Sequence, residues 1–165
     1  MRAVSVVLVL GFAGPAHADQ VQADLGLSVI ALGYEQPIGD HLAVQLEAGT
    51  FGTYFLPWFN AGDKVIGVVG GVRATWFQHA DGRGLYITPY LRTGFGRGKH
   101  EDGDGVSGDA GALTTGGFVG WALRPKPKLD VRIGVGAQYM YLSGEHGLEA
   151  STPMVALDFT LGYRL

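Results

Sequence analysis

From residue 155 to its end, the chain alternates strictly between large apolar residues and small or polar ones. The apolar series is Val155, Leu157, Phe159, Leu161, Tyr163 and Leu165. A helix of this sequence would scatter Asp158 and Arg164 over its apolar stripe, whereas a strand puts both charges on the face opposite the large apolar groups. The pattern therefore predicts that the chain ends in a β-strand.

Strand-length segments with the same alternation fill the chain from residue 42 onwards. The segments are 42–54, 64–77, 85–96, 112–123, 129–142 and 154–165. The turns between them are 79–84 and 124–128, and the longer loops are 55–63, 97–111 and 143–153. Short connections at one end and long ones at the other are typical of bacterial transmembrane β-barrels, whose short turns face the periplasm.

The segment 21–36 decides whether the number of strands is even. A barrel with both chain ends in the periplasm needs an even number, and six strands follow this segment. If it were a single strand, Asp24 and Glu35 would point to opposite faces. A break near Ser28 and Val29 puts both carboxylates on the polar faces of two short strands. We therefore predict an all-β, antiparallel up-and-down barrel of eight strands, the first two shorter than the ~9–11 residues of a usual spanning strand.

Charged residues share one face within each predicted strand, and no charge lies among the large apolar residues of the other face. The candidate lumen network is Glu47, Arg73, Arg92, Asp130, Arg132, Asp158 and Arg164. A soluble barrel also alternates, but its outer face usually carries many charges and its apolar face points inward. Few charges of mixed sign favour a lumen that they fill, either as an ion path or as a plug. Since an eight-stranded barrel barely holds its own side chains, we predict a plug, and the excess of arginine leaves a weak anion preference open.

Aromatic residues are predicted to gather at both ends of the strands, as in the interfacial girdles of membrane barrels. Near the short turns lie Tyr34, Trp76, Trp121 and Tyr163, and near the long loops Tyr54, Phe95, Tyr139 and Tyr141. Pro89 lies inside a predicted strand, and we expect it to mark an irregularity in the hydrogen-bond ladder.

The composition agrees with a barrel and excludes several other classes. Hydrophobic residues make up 47% of the chain, which is too many for a disordered protein. In lipid, a closed barrel pairs every backbone polar group without an open edge. The formal charge of −3, or −4 once Arg2 is removed, gives no sign of nucleic-acid binding. The chain has no cysteine for a disulfide, and no motif predicts a cofactor.

The first eighteen residues have the pattern of a secretory signal peptide. Arg2 precedes an apolar run at 3–13, and Ala16-His17-Ala18 forms a small-x-small cleavage site. A retained transmembrane helix would need about 18 apolar residues, and this run is shorter. We therefore expect residues 1–18 to be removed and residues 19–165 to form one barrel domain.

Two segments resemble small eight-stranded barrels of the OmpA/OmpX type. They are Tyr34-Glu35-Gln36-Pro37-Ile38-Gly39-Asp40-His41, continuing to Gly49, and Gly84-Leu85-Tyr86-Ile87-Thr88-Pro89-Tyr90-Leu91. The final strand is also similar to theirs, although Leu165 stands where they usually have Phe or Trp. The resemblance implies a porin-like protein of the Gram-negative outer membrane, from families without assigned activity. It also implies contact with lipid and lipopolysaccharide, and insertion by the barrel-assembly machinery.

The polar loop before residue 110 contains a candidate metal site. Its carboxylates are Glu101, Asp102, Asp104 and Asp109, and calcium prefers oxygen ligands of this kind. The spacing departs from that of an EF-hand, since Val106 occupies the fifth position and no Glu stands at the twelfth. A solvated Asp-Gly loop is the simpler interpretation. A weak divalent-ion contact that also engages lipopolysaccharide is the alternative.

A second loop contains Ser143, Glu145 and His146 within four residues. Outer-membrane lipid A deacylases and phospholipases use a serine and a histidine with an acidic helper, so these three residues are the candidate catalytic set. The motifs of those enzymes are missing from the sequence, and loop polarity explains the three residues more simply.

The sequence leaves three hypotheses for the function. In the first, a non-enzymatic outer-membrane barrel has a structural, adhesive or binding role through its long loops. Its apolar loop cluster, Phe55-Leu56-Pro57-Trp58-Phe59, is then expected to contact the membrane. The second hypothesis is an outer-membrane lipid A deacylase or phospholipase-type hydrolase. The third is a soluble periplasmic lipid-binding barrel.

Overall fold

Eight strands form a closed barrel in the computed structural model, which describes residues 19–52, 63–100, 107–145 and 149–165. The strands are β1 Gln20–Leu25, β2 Val29–Pro37, β3 Leu42–Gly52, β4 Asp63–Phe77, β5 Gly84–His100, β6 Ser107–Lys126, β7 Leu129–Gly144 and β8 Glu149–Arg164. Each strand pairs antiparallel with the next, and β8 returns to pair with β1. The predicted all-β up-and-down barrel of eight strands is confirmed. No helix in these ranges is long and apolar enough to cross a membrane.

The first two strands divide where the sequence predicted. The chain turns at residues 26–28, and the Gly26 amide donates a hydrogen bond of 2.8 Å to the Val29 carbonyl. β1 has six residues and is short, as predicted, whereas β2 has nine and is longer than predicted, because it reaches the length of a usual spanning strand. As a result of the division, Asp24 and Glu35 both point into the barrel, where they are buried.

Two predicted loops turned out to be largely strand. The hairpin of β5 and β6 continues through most of 97–111, and β8 begins at Glu149 instead of residue 154. In the extended hairpin, Gly96 opposes Ala110 and Gly98 opposes Gly108. These small residues lack the usual β propensity, but the ladder continues because backbone groups already in register keep pairing.

The register determines the tilt of the strands. Cross-strand partners followed once round the barrel from Gln22 are Gly33, Glu47, Gly71, Arg92, Thr114, Met140 and Thr152. Thr152 lies ten residues before Gly162, the β8 residue that pairs with Gln22 directly. A stagger of this size over eight strands corresponds to a tilt of about 40°.

The wall of the barrel is much lower at β1 and β2 than elsewhere. The contact between β1 and β8, which we call the seam, contains five residue pairs and ends at Asp24 and Thr160. β8 continues for eleven residues beyond it, at 149–159. In the described chain, no strand pairs with that part of β8 on the β1 side.

Pro89 lies at the irregularity that the sequence predicted. Pairing between β4 and β5 stops at Arg73 and Tyr90 and resumes at Trp76 and Ile87 in the same register. Proline has no amide hydrogen to donate to the ladder, and its side chain faces outward. The gap therefore removes ladder contacts without shifting the residues that face the lumen.

Candidate functional site

The two faces of the barrel have opposite polarity, with charges inside and large apolar side chains outside. Val68, Ile133 and Leu157 are exposed on the outer face by 47%, 55% and 41%, whereas Arg132 and Asp158 are buried at 3% and 1%. A soluble lipid-binding barrel has the reverse arrangement, with a dry apolar centre. This polarity therefore does not fit the third hypothesis.

The outer apolar surface has the height of a membrane core. Along β8 and the residue that follows it, this surface runs from Val155 to Leu165, a separation of ten residues. At ~3.3 Å per residue and a tilt of about 40°, this distance is about 25 Å along the barrel axis. The apolar band of transmembrane barrels is about 25 Å tall.

Exposed aromatic residues lie near both ends of this surface. Those near the ends are Tyr34, Trp76, Trp121 and Tyr163 towards the turns, and Phe95, Tyr139 and Tyr141 towards the loops, while Phe159 is exposed on β8 four residues before Tyr163. At the turn end, Trp76 stacks on His41 with ring centroids 6.3 Å apart, and the Lys128 ammonium lies 5.4 Å from the Tyr163 ring. Such amphipathic contacts suit an interface between an apolar and an aqueous phase. Tyr54 lies outside the described residues.

A cluster of five charged residues, the central cluster, occupies the middle of the lumen. Arg73 on β4 donates to Asp24 on β1 at 2.9 Å and to Asp158 on β8 at 2.7 Å. Arg92 on β5 donates to Asp24 at 2.5 Å and to Glu47 on β3 at 2.6 Å. All five side chains are buried. Two arginines thus connect five strands of the barrel.

A second group, the turn-side cluster, lies closer to the short turns. Both terminal nitrogens of Arg132 on β7 donate to Glu35, at 2.6 and 2.7 Å, and its Nε donates to Asp130 at 2.9 Å. The Gln20 amide adds a hydrogen bond of 2.5 Å to Glu35. Arg164 lies farther away, with 3.9 Å between its Nη2 and Asp130 Oδ2. Because its contact with Glu35 is bidentate, Arg132 makes the strongest ion pair in this group.

The turn between β4 and β5 covers the open end of the turn-side cluster. Arg124 and Arg164 both donate to the main-chain carbonyl of Asp81 in this turn. Two glycines with left-handed backbone, Gly82 (φ 79°) and Gly84 (φ 85°), allow the chain to reverse there. The Asp81 carboxylate pairs with Arg83. Partial desolvation opposes its ionisation, but the hydrogen bond and the charge of Arg83 outweigh this and lower the pKa of Asp81.

Aromatic rings fill the space around the buried charges. Three guanidinium groups lie over rings, Arg73 over Phe118 at 5.3 Å, Arg92 over Tyr90 at 4.6 Å and Arg132 over Phe77 at 4.7 Å. The Tyr86 hydroxyl donates to Asp158 at 2.5 Å, and the Tyr90 hydroxyl donates to Gln138 at 2.6 Å. These contacts combine cation–π attraction with hydrogen bonds, so the polar middle of the lumen is packed.

The loop-side half of the lumen is apolar. A cluster that we call the apolar layer consists of Val29, Ala31, Phe51, Val65, Ala110 and Leu142. Val65 and Leu142 are buried at 0% and 1%. Inward-facing glycines let the layer contract, since a Cβ built at Gly67 would lie 2.6 Å from the Phe51 ring. The layer closes the lumen above the central cluster.

The predicted excess of positive charge in the lumen is wrong. The structure places all seven residues of the candidate lumen network inside, but Asp24 and Glu35 join them. Among the described buried residues, five carboxylates therefore face four arginines. The alternation pattern had already put Asp24 and Glu35 on the inward face, so the signal was present in the sequence.

The predicted metal and catalytic residues fall partly outside the described ranges. Of the metal candidates, Asp109 is on β6, exposed and 3.4 Å from Arg97, while Glu101, Asp102 and Asp104 are not described. In the described part of the chain, no three acidic, histidine or cysteine residues are grouped for a metal ion. Ser143 is half-buried at the end of β7, Glu145 is exposed just after it, and His146 is outside the described residues.

Two further predictions also concern parts of the chain that the structure does not describe. The signal peptide was assigned to residues 1–18, and the apolar loop cluster to residues 55–59. Both remain predictions from the sequence.

Comparisons with known proteins find likeness in overall structure only. No family model matches the sequence, and no curated protein matches it. Among solved structures, a major outer membrane protein from Thermus thermophilus is 15% identical with a TM-score of 0.49, covering 90% of this chain and 98% of that one. CarO2 from Acinetobacter baumannii is 9% identical with a TM-score of 0.45 and the same coverage.

Proposed function

We propose that the protein is an integral, non-conducting β-barrel of the bacterial outer membrane, with a structural, adhesive or binding role at its loop end. The observation that carries this proposal is the reversed polarity of the barrel. Exposed apolar side chains cover the outer face of the cylinder, over a height of about 25 Å along β8, whereas the charged side chains of the lumen are paired inside. In water such a surface would drive aggregation, and in lipid it is the favourable one.

A plugged lumen follows from the two kinds of packing inside. Side chains of the central cluster bond to each other across the lumen, and the apolar layer above them offers no polar groups to a hydrated ion. An ion passing through this barrel would have to displace side chains of both the central cluster and the apolar layer. The internal charges therefore hold the strands of the barrel together and do not transport ions.

The central cluster has a specific structural role at the seam. With five residue pairs, the seam is the shortest contact between neighbouring strands in the described chain. Arg73 binds Asp24 from one side of the seam and Asp158 from the other. One side chain on the opposite wall thus ties together the first and last strands.

The role at the loop end would lie in residues 53–62, 101–106 and 146–148 and in the exposed strand ends next to them. Arg97, Lys99, Asp109, Glu145 and Glu149 are exposed there. Charged, exposed groups on a rigid barrel are suited to binding a partner.

Membrane integration is tested by placing one charge on the outer face. Val135 is 62% exposed, and its cross-strand neighbours Val119 and Leu157 are also exposed. For Val135→Lys we expect a loss of about 2–4 kcal/mol in the free energy of unfolding in lipid. The control Ser107→Lys, at the exposed start of β6, should change it little.

Three further measurements complete the test. The wild type should need detergent for extraction from membranes, should migrate differently on a gel with and without heating, and should give no ion steps in a planar bilayer. Recovery in a detergent-free periplasmic extract, with Val135→Lys tolerated, would overturn the proposal.

A further inference from the structure

Two buried glutamine side chains in the lumen have amide oxygens that accept no hydrogen bond. Gln22 on β1 and Gln45 on β3 are buried at 0% and 1%. Within the described chain, neither amide oxygen has a donor at hydrogen-bond distance. Two further oxygens of this kind, on Gln20 and Asp130, lie nearer the short turns. Because buried polar groups are nearly always paired, the oxygens of Gln22 and Gln45 indicate a bound ligand.

The two amides lie beside Gly33 on β2, which points into the lumen. Gly33 is the direct cross-strand partner of Gln22, so the side-chain positions of these two residues are about 5 Å apart. The Gln45 amide lies across the glycine, since a Cβ built at Gly33 would be 2.8 Å from the carboxamide carbon of Gln45. The amides of Gln22 and Gln45 are therefore neighbours, between the turn-side cluster and the central cluster.

The nitrogens of both amides are directed towards carboxylates. Gln45 Nε2 donates to Glu47 at 3.3 Å, and the Gln22 amide interacts with the Glu35 carboxylate. An amide attracts a carboxylate only through its NH₂ group, which is its donor. The two amide oxygens therefore remain available to a cation.

The central cluster, which adjoins these amides, has an excess of one negative charge. Its charged residues are the arginines Arg73 and Arg92 and the carboxylates Asp24, Glu47 and Asp158. In the turn-side cluster, two arginines balance two carboxylates. Burial of an unbalanced charge is costly, so the lumen needs one further positive charge. Asp24 and Glu47 follow Gln22 and Gln45 as the next inward residues of β1 and β3, so the excess charge lies next to the unpaired oxygens.

We infer that the lumen binds one monovalent cation, for which Na⁺ is the probe, between Gln22 and Gln45. Amide oxygens are hard ligands of the kind that such an ion prefers. The net charge of the central cluster favours a single positive charge over a divalent ion. The cation is part of the plug, where it balances the charge and joins β1 to β3, and it is not conducted. This inference goes beyond the proposed function and concerns the interior alone.

Urea unfolding of the detergent-solubilised barrel provides the test, in sodium chloride and in N-methylglucamine chloride at equal ionic strength and pH. N-methylglucamine is too large to enter a packed lumen. For the wild type, Na⁺ should lower the equilibrium constant of unfolding about tenfold, which is the effect of a ligand at about ten times its Kd.

Two variants remove the site in different ways. Gln22→Met keeps the approximate shape of the side chain and removes its amide oxygen, whereas Glu47→Gln removes the excess charge. Each should unfold with the same equilibrium constant in the two salts. The matched control Gln138→Met changes another buried glutamine, whose oxygen already accepts a hydrogen bond from the Tyr90 hydroxyl at 2.6 Å. This control should be less stable than the wild type and keep the full effect of Na⁺.

Two outcomes would overturn the inference. Equal stability of the wild type in the two salts would show that no cation is held, and this comparison needs no variant to fold. If that stability then varied with pH, a proton would supply the missing charge. An effect of Na⁺ that persists in both Gln22→Met and Glu47→Gln, with folding checked by heat-dependent gel migration, would place the ion elsewhere. Recovery of the protein without detergent would contradict the proposed membrane location and not this site.

Discussion

The turn-side and loop-side halves of the barrel interior exclude water by different means. Towards the turns, Arg132 and its partners fill the lumen with ion pairs and rings. Towards the loops, Phe51, Val65 and Leu142 pack as an ordinary apolar core. The same wall of eight strands encloses both halves, so the difference lies in the inward side chains alone.

The comparison shows that the two halves contribute differently to folding. Burial of ions costs desolvation free energy, which is offset only when every partner is present. Burial of the apolar layer is favourable in itself, at about 25 cal/mol per Å² of apolar surface. We therefore expect the ionic half to determine which strands meet, and the apolar half to supply net stability.

The largest effect is expected when one ion loses its partner. Arg132→Ala leaves Glu35 buried without its cation and leaves Asp130 with only the more distant Arg164, so the free energy of unfolding should fall by about 4 kcal/mol. Urea unfolding in detergent measures it. Arg83→Ala, which removes an exposed ion pair at the turn, serves as the control and should cost less than about 1 kcal/mol. Similar values for the two variants would show that burial of the ion pair adds nothing to the cost of losing one partner.

In the apolar layer, a cavity should cost somewhat less. Leu142→Ala removes a fully buried side chain and should lower the free energy of unfolding by about 3 kcal/mol. The matched variant Leu91→Ala changes a side chain that is 49% exposed on the outer face, so its loss should be smaller. If both cost the same, then Leu142 does not lie in a packed layer.

A single hydrogen bond in the central cluster should have a moderate effect. Tyr86→Phe removes the hydroxyl that donates to Asp158. Because the acceptor is a charged group, we expect a loss of about 2 kcal/mol in the free energy of unfolding. The control Tyr163→Phe, on the outer face, should lower the free energy of unfolding by at most a few tenths of a kcal/mol. An unchanged denaturation midpoint in Tyr86→Phe would show that Arg73 and Thr160 hold Asp158 without the tyrosine hydroxyl.

The smallest effect concerns the turn that covers the ionic half. Since the pKa of Asp81 is lowered in the folded protein, its ion pair stabilises at a pH above the unfolded value of ~3.9. That contribution disappears as the pH falls through the lowered folded value. It should be below about 1 kcal/mol, because the pair is exposed. A double-mutant cycle of Arg83→Ala and Asp81→Asn, measured as free energies of unfolding at pH 7 and pH 3, gives the coupling energy of this pair. A coupling energy that is larger at pH 3 than at pH 7 would contradict the lowered pKa of Asp81.

The sequence predicted the strands of the barrel and the direction of their side chains better than it predicted the contacts inside the lumen. Strict alternation fixes the face of each residue, because a shift by one position would move every inward charge to the apolar outer face. This constraint was sufficient to divide β1 from β2 and to point Asp24 and Glu35 inward. The ion pairs across the lumen were not predictable from the sequence. Arg73 lies close enough to pair with Asp24 and Asp158 only because the closed sheet has a stagger of ten residues.

The predictions failed where residues have weak preferences of their own. Residues 97–111 contain glycines and charges that are typical of loops, yet most of them continue the hairpin of β5 and β6. Their pairing depends on neighbouring strands and not on local propensity. The apolar layer was missed for a related reason. Val65 belongs to the inward series of β4 that, farther down the strand, contains the polar residues Arg73 and Thr75.

The short seam between β1 and β8 determines where the barrel is expected to open first. Five residue pairs join β1 to β8, whereas fifteen join β7 to β8. Thermal fluctuations should therefore separate the first strand long before any other, and its amide hydrogens should exchange with deuterium fastest. The folded ring would then open at one defined place and close again there, with the 2.7 and 2.9 Å contacts of Arg73 as the last to form.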